Sequence, residues 1–176
     1  MSLTNEQMQV VDRVLPFAIL ISDWSRLKAE FLNLHNPRGI YPSVILSEII
    51  IQSNWMLHPI AQTEITIRSA RKESHRYSNN LALLPVNNGW RGKSNEFDGV
   101  EYRAYKDWQV FAIDYSDYLT FTREFDDLLC EHSPERQLEA WSLTKTDETW
   151  YDQSKNLLRE CQEYISSGQR ERIKSR

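Results

Sequence analysis

Two polar side chains on an apolar helix are the residues of this chain best placed to do chemistry. In the stretch Tyr41-Pro-Ser-Val-Ile-Leu-Ser-Glu-Ile-Ile-Ile-Gln-Ser-Asn-Trp-Met-Leu-His-Pro-Ile-Ala61, Glu48 and Gln52 are long polar residues in an otherwise apolar run. They are four apart, so a helix sets them on one face, about 6 Å apart along its axis. A carboxylic acid at such a place can pass a proton to a leaving group. A primary amide keeps the shape and the hydrogen-bonding reach but has no acid. Glu48 would sit deeper than Gln52, and a buried Glu more often satisfies an arginine or a backbone group than performs catalysis, because an unpaired buried charge is costly. Other carboxylates follow at Glu64, Glu96 and Glu101. His35, His58, His75 and His132 show no zinc-ligand spacing, and their order defines no Ser-His-Asp or Cys-His set. No metal or other cofactor is implied. Cys130 and Cys161 also lack ligand spacing and read as free thiols or one bridge.

The elements that must position these groups are mostly helical. Thr4 and Gln7 have the spacing of a capping box. Val10, Val11, Val14, Leu15, Phe17, Ala18 and Ile21 then recur near helical period, through Trp24, Leu27 and Phe31, with Pro16 predicted to kink or split the run. Asn36-Pro37-Arg38-Gly39 ends it. Pro42 suits the first turn of the next helix, and Val44 to Ile51 is apolar nearly all round, the mark of a buried central helix. Pro59 to about Ser74 reads as a further helix, whose basic run from Arg68 to Arg76 would be a solvated face. Asp98-Gly99 between alternating residues signals a tight hairpin, the only convincing β segment. Asp107, Ser133-Pro134 and Asp147 each suit a helix start, and the tail from Ser166 to Arg176 is polar enough to fray.

At 176 residues with a net charge of −4, the chain is most simply one domain. That charge argues against a general nucleic-acid or anionic-membrane binder. No apolar run reaches the roughly 18 residues of a transmembrane helix. The N-terminus shows no basic-then-apolar signal pattern. Six Trp and eight Tyr supply rings that suit cores and also line sugar- and peptide-binding grooves.

In order along the chain, these residues resemble the bacterial endo-β-N-acetylglucosaminidase family of peptidoglycan hydrolases. That family carries Pro-Ser-(Val/Ile), then Glu-Ser-Gly-Trp-Gly, then Leu-Ala. This chain has Pro42-Ser43-Val44, Gln52-Ser53-Asn54-Trp55-Met56 and Ile60-Ala61. The family's Asn-Leu-Phe-Gly-Ile-Lys matches Asn80 to Pro85, its Trp-x-Gly matches Trp90-Arg91-Gly92, and its Phe-Arg-x-Tyr-x-Ser matches Tyr102 to Asp107. Its Tyr-Ala-Thr-Asp matches Thr144 to Asp147. The resemblance covers residues 41–165, preceded by an N-terminal helical segment over 1–40 and followed by a polar tail over 166–176. It implies a mainly α (α+β) lysozyme-like fold, in which a small β-hairpin lobe helps form a cleft for a glycan containing N-acetylglucosamine.

The departures fall on the residues that would do the chemistry. The family's general acid, a glutamate with a raised pKa in an apolar site, is matched by Gln52. Two family glycines become Asn54 and Met56, read here as side chains that narrow the cleft. The tyrosine thought to position the substrate N-acetyl group is matched by Thr144. Glu96 is the nearest match for a second carboxylate on the hairpin, with Glu101 behind it, and Glu48 or Glu64 are the other carboxylates able to substitute. Trp55, Asn80, Trp90, Tyr105 and Thr144 are the candidate ligand-binding positions, Trp90 the foremost for a ring against a sugar face. Several substitutions around one site suit natural divergence better than a single engineered knock-out.

Three functions compete. One is a glucosaminidase-fold protein with impaired hydrolysis that binds peptidoglycan or a protein partner. The second is an active cell-wall hydrolase using a relocated carboxylate such as Glu48 or Glu96. The third is a structural or regulatory module of phage or mobile-element origin.

Overall fold

The computed structural model describes all residues except 1, 2, 33, 35–37, 63, 70, 71, 88, 146–148, 175 and 176, and all described side chains but those of 64–69, 72–77 and 168–174. The element order is α1 (Asn5–Phe31), α2 (Pro42–Gln52), a 3-10 turn (Pro59–Ala61), β1 (Glu64–Ser69), β2 (Lys72–Tyr77), β3 (Lys93–Phe97), β4 (Val100–Ala104), α3 (Trp108–Phe121), a second 3-10 turn (Arg123–Phe125), α4 (Asp126–Cys130), α5 (Pro134–Ser142) and α6 (Trp150–Lys174). The architecture is mainly helical, with two separate antiparallel hairpins.

The chain divides into two compact units, Met1–Glu48 with Ser116–Arg176, and Ile49–Tyr115. In the first, Thr4 opens α1 with the reciprocal capping box, its side chain accepting from the Gln7 N–H. Pro16 lies inside α1 and does not split it. The buried face Val11, Val14, Ala18, Ile21, Ser25 and Ala29 continues on both sides of the proline, so packing carries the helix past one missing backbone bond. The N-terminal part of α2 contributes Val44, Ile45 and Leu46 to this unit's core, with Leu128, Leu138 and Leu158 from the later helices. Phe125 and Trp141 meet edge to face at 5.9 Å, and Trp150 follows at 6.5 Å. Gln137, fully buried, accepts from the Tyr41 N–H at 2.8 Å and donates to the Gly39 carbonyl at 2.6 Å, fixing the entry to α2. Ser133 caps α5 by accepting from the Arg136 N–H. Asp147 lies outside the described residues. α6 runs to Lys174, so the polar C-terminal segment is helical where the sequence predicts fraying.

In the second unit, the segment after Pro59 is not the expected helix. Only Pro59–Ala61 turns, and β1 and β2 follow as a hairpin pairing Glu64 with Tyr77 through Ser69 with Lys72. The physical reason is visible in hindsight: Ile65 and Ile67 alternate with Glu64, Thr66 and Arg68, and β-branched residues at period two favour a strand. The hairpin of β3 and β4 appears where Asp98-Gly99 places it, Phe97 opposite Val100, with φ of 51° and 76° at the two turn residues. Both positive values make this the turn whose twist matches the strands. Asp107 starts α3 by accepting from the Val110 N–H at 2.9 Å.

Candidate functional site

The C-terminal end of α2 belongs to the second unit and carries Gln52 as its last helical residue, half-buried. Its amide makes no side-chain hydrogen bond among the described residues. The helix stops immediately after it. The Trp55 N–H bonds to the Ile50 carbonyl at 2.9 Å and the Asn54 N–H to the Ile51 carbonyl at 3.1 Å. These paired bonds form a Schellman C-cap with Asn54 at the left-handed position, where glycine is usual and asparagine next best. Unusually, the left-handed backbone persists for three residues, with φ of 47° at Asn54, 56° at Trp55 and 62° at Met56. Each such L-residue costs on the order of 1–2 kcal/mol.

Local bonds hold this strained turn. The Met56 N–H donates to Ser53 Oγ at 3.0 Å, the Leu57 N–H to the Asn54 carbonyl at 3.0 Å, and Gln62 Nε2 to the Met56 carbonyl. Positions 54 and 56, where the resembled family carries glycine, therefore demand positive φ rather than open space. Met56 is buried at 6 % exposure, so it does not narrow a cleft as expected, while Asn54 is exposed. Trp55 is half-buried. His58 closes the turn, its Nδ1 accepting from the Ile60 N–H at 3.2 Å, with its ring against Phe97 at 5.0 Å and Tyr102 at 6.2 Å. Burial lowers the His58 pKa, and Asp98 partly opposes that shift.

Asn80 is fully buried, and its side chain is taken up by main chain. Nδ2 donates to the Leu84 carbonyl at 2.8 Å and the Arg103 carbonyl at 3.0 Å, and Oδ1 accepts from the Leu84 N–H at 2.8 Å. Both amide protons are used, so Asn80 is a fixture of the loop that carries β4. Tyr105 is likewise internal, at 2 % exposure, donating to Asp114 Oδ2 at 2.5 Å. Burial and that bond raise the phenol well above its ordinary pKa. The same Asp114 oxygen receives Arg103 Nη1 at 2.7 Å, and Arg103 Nε reaches the Pro85 carbonyl at 3.2 Å.

Trp90 stands on this network. Its ring meets Tyr105 edge to face at 5.5 Å and lies under the Arg103 guanidinium at 5.1 Å, and Nε1 donates to the Lys93 carbonyl at 2.9 Å. The ring passes so close to Gly92 that a Cβ there would lie 2.3 Å from Trp90 Cζ2. Half-buried and fixed in orientation, Trp90 is a rigid aromatic platform. Glu96 is exposed on β3 directly opposite Glu101, which accepts from Ser94 Oγ. Glu64 begins β1, its side chain outside the described set.

In the first unit, Glu48 is 3 % exposed. Its Oε1 accepts from Lys145 Nζ at 2.5 Å and its Oε2 from Trp150 Nε1 at 3.0 Å. Lys145 Nζ also lies 5.1 Å from the Trp150 ring centre and 5.8 Å from that of Trp141. The expectation of a satisfied buried glutamate holds, with a lysine and an indole among its partners. Beside it, Thr144 Oγ1 turns back to the Trp141 carbonyl at 2.8 Å. Sequence reasoning missed Lys145 and Asp114. The only sequence signal for either was a lone charge within an aromatic-rich segment. Among the described residues no group of three or more His, Cys, Asp or Glu is arranged to hold a metal ion, and no helix is long and apolar enough to cross a membrane.

No known family profile and no curated protein matches the sequence. Solved structures do match the fold. The glycoside hydrolase domain of Salmonella typhimurium FlgJ superposes with a TM-score of 0.68 at 16 % identity, covering 97 % of this chain and 99 % of that one. A peptidoglycan hydrolase from Sphingomonas sp. A1 gives 0.61 at 16 % identity over 90 % of this chain and 93 % of its own. The catalytic domain of the Listeria monocytogenes autolysin Auto gives 0.60 at 12 % identity over 93 % and 90 %. The chain therefore has the lysozyme-like fold of the bacterial glucosaminidase domains.

Proposed function

We propose that this chain binds a peptidoglycan-like glycan containing N-acetylglucosamine, and that it hydrolyses the glycan poorly because Gln52 stands where the resembled family places its general acid. The observation that carries this reading is the pair of fates along α2. Glu48, the nearest substitute acid, is buried and held by Lys145 and Trp150, whereas Gln52 has an uncommitted amide. A carboxylate buried and hydrogen-bonded through both oxygens is not open to a glycosidic oxygen. Trp90, braced by Arg103, Tyr105 and the bare backbone of Gly92, supplies a ring suited to a sugar face. Hydrolase structures of the same fold support a wall glycan as the ligand class.

Isothermal titration with a muropeptide, beside a turbidity assay on purified cell wall, tests both halves. Binding is expected without appreciable clearing. Gln52→Glu is expected to raise clearing by about 10²–10⁴-fold, the usual worth of general acid catalysis. Absence of muropeptide heat would remove the glycan ligand. Rapid clearing by the unaltered chain would overturn the impaired-hydrolase reading.

A second reading rests on Glu96, which is exposed on β3 directly across from Glu101. An exposed carboxylate on the hairpin is open to a ligand, whereas Glu48 is buried. Clearing by the unaltered chain that Glu96→Ala abolishes, with the thermal unfolding midpoint retained, would select this reading.

A further inference from the structure

We propose that the exposed seam of α1 is a docking surface for a basic amphipathic helix of a partner protein. Trp24, Leu27 and Phe31 follow at intervals of three and four residues and are 39 %, 49 % and 80 % exposed. Phe17 and Leu20 continue the same spacing as half-buried residues. Apolar positions thus recur on a heptad over about 21 Å of helix, the pattern of a seam made for another helix.

This seam is distinct from the face α1 buries. Val11, Val14, Ala18, Ile21 and Ser25 run one residue out of phase with it, about 100° round the helix. One apolar face suffices to pack a helix on its own domain, and the second is surplus to that task. Lys28 Nζ donates to Ser116 Oγ at 2.8 Å and to Asp117, so the C-terminal half of α3 lies beside the seam. Leu32, next to Phe31 at the end of α1, is 38 % exposed and extends the patch. Large exposed side chains gathered in this way mark an interaction site more than a free surface.

Charge selects the occupant. Asp23 and Glu30 each precede a seam position, Trp24 and Phe31, and so flank the open side. Asp23 has no ion-pair partner among the described residues, and Glu30 is held only by Arg26, at 2.9 Å on the exposed surface. Lys28, whose Nζ lies 5.3 Å from the Trp24 ring centre, is already committed to Asp117. An antiparallel second copy would set Asp23 against Glu30, like charge on like. A parallel copy would need the committed Lys28 to answer Asp23. A helix with lysine or arginine beside its apolar stripe meets neither difficulty.

Fluorescence anisotropy with two synthetic helices tests the proposal, both with leucine at the seam positions, one flanked by lysine and the other by glutamate. The lysine peptide is expected to bind at least ~10-fold tighter than the glutamate peptide. Leu27→Glu with Phe31→Glu should abolish that binding, with the thermal unfolding midpoint retained because both residues are already exposed. Asp23→Lys should narrow the preference between peptides. Equal binding of the two peptides, or binding unaffected by the double variant, overturns the proposal. A wild-type dimer in sedimentation that the double variant dissolves would overturn it in favour of a second copy. The glycan-binding reading stands or falls separately, since none of these residues is among those proposed to meet sugar.

Discussion

The last two polar positions of α2, one turn apart, are built on opposite terms. At Glu48 a buried charge is answered from both oxygens, by Lys145 at 2.5 Å and by Trp150 at 3.0 Å. At Gln52 a neutral amide ends the helix, and the chain turns through three successive left-handed residues. The first fastens α2 to the segment around Trp141 and Trp150. The other presents its polar residue uncommitted and accepts backbone strain to end the helix there. Strain of this kind persists only where the surroundings over-determine it, and it concentrates at functional sites. The lesson is that polarity on a buried helix has two uses. Partner count, more than residue type, tells which use a given position serves.

The largest expected effect on this contrast comes from Glu48→Ala. It would leave Lys145 facing two rings with no counter-charge, and breaking a buried pair from one side costs about 3–5 kcal/mol. Urea denaturation should show that loss as a lower midpoint at unchanged slope. Adding Lys145→Met should restore much of it, because an apolar pair often replaces a buried ion pair without cost. A Glu48→Ala protein of unchanged stability would mean that the two polar positions of α2 do not differ in kind.

Asp114→Ala probes the corresponding fastening within the second unit and should cost less. It strands Arg103 and the Tyr105 hydroxyl together, but Asp114 keeps 26 % of its side chain exposed, so water can replace part of what is lost. A loss of about 2–3 kcal/mol is expected from removing the acceptor of two charge-assisted bonds. Trp90 fluorescence should shift with it, because Arg103 lies over that ring. A stability loss with no change in Trp90 emission would show that the platform does not depend on the network.

Much of this was legible in the sequence where one residue type dictates a local geometry. Asp98-Gly99 specified its turn, Thr4 and Gln7 their capping box, and Pro42 with the apolar run to Ile51 the central helix. The hairpin of β1 and β2 was missed because no Gly, Pro, Asn or Asp stands between Ile65 and Tyr77 in the sequence to signal a turn, and because Pro59 suggested a helix start. Lys145 was illegible for another reason. Its bond to Glu48 spans 97 residues, and no local pattern announces a contact of that separation. The strain after Gln52 was half visible: the glycines of the resembled family marked the positions, but only the dihedral angles showed that backbone conformation was what they served.

Asn54→Gly tests that strain directly. Asn54 is exposed with φ of 47°, so glycine removes the left-handed penalty and loses little packing. Relief of the left-handed penalty, offset by glycine's greater freedom when unfolded, should leave a gain of at most about 1 kcal/mol. The same change at Met56 should not stabilise, since it would also empty a buried site. If Asn54→Gly destabilises the protein, the asparagine side chain contributes something beyond tolerance of the turn.

The smallest effect is one of pH, and it belongs to the same turn. His58 has a folded pKa below its ordinary value, burial being the larger cause and Asp98 opposing it. The folded state thus binds its proton less readily than the unfolded chain. As pH falls through the ordinary histidine range near 6.5, the unfolded state gains protons first, and stability declines until the folded pKa is passed. Protonation also places a hydrogen on Nδ1, the atom that accepts from the Ile60 N–H at 3.2 Å, so the cap is lost in the same step. His58→Asn retains a side-chain acceptor for that amide while removing the titration. Thermal unfolding midpoints measured between pH 8 and 5 should therefore fall less in His58→Asn than in the unaltered chain. Parallel declines would show that His58 does not couple the turn after Gln52 to pH, and would leave backbone strain as that turn's one distinguishing property.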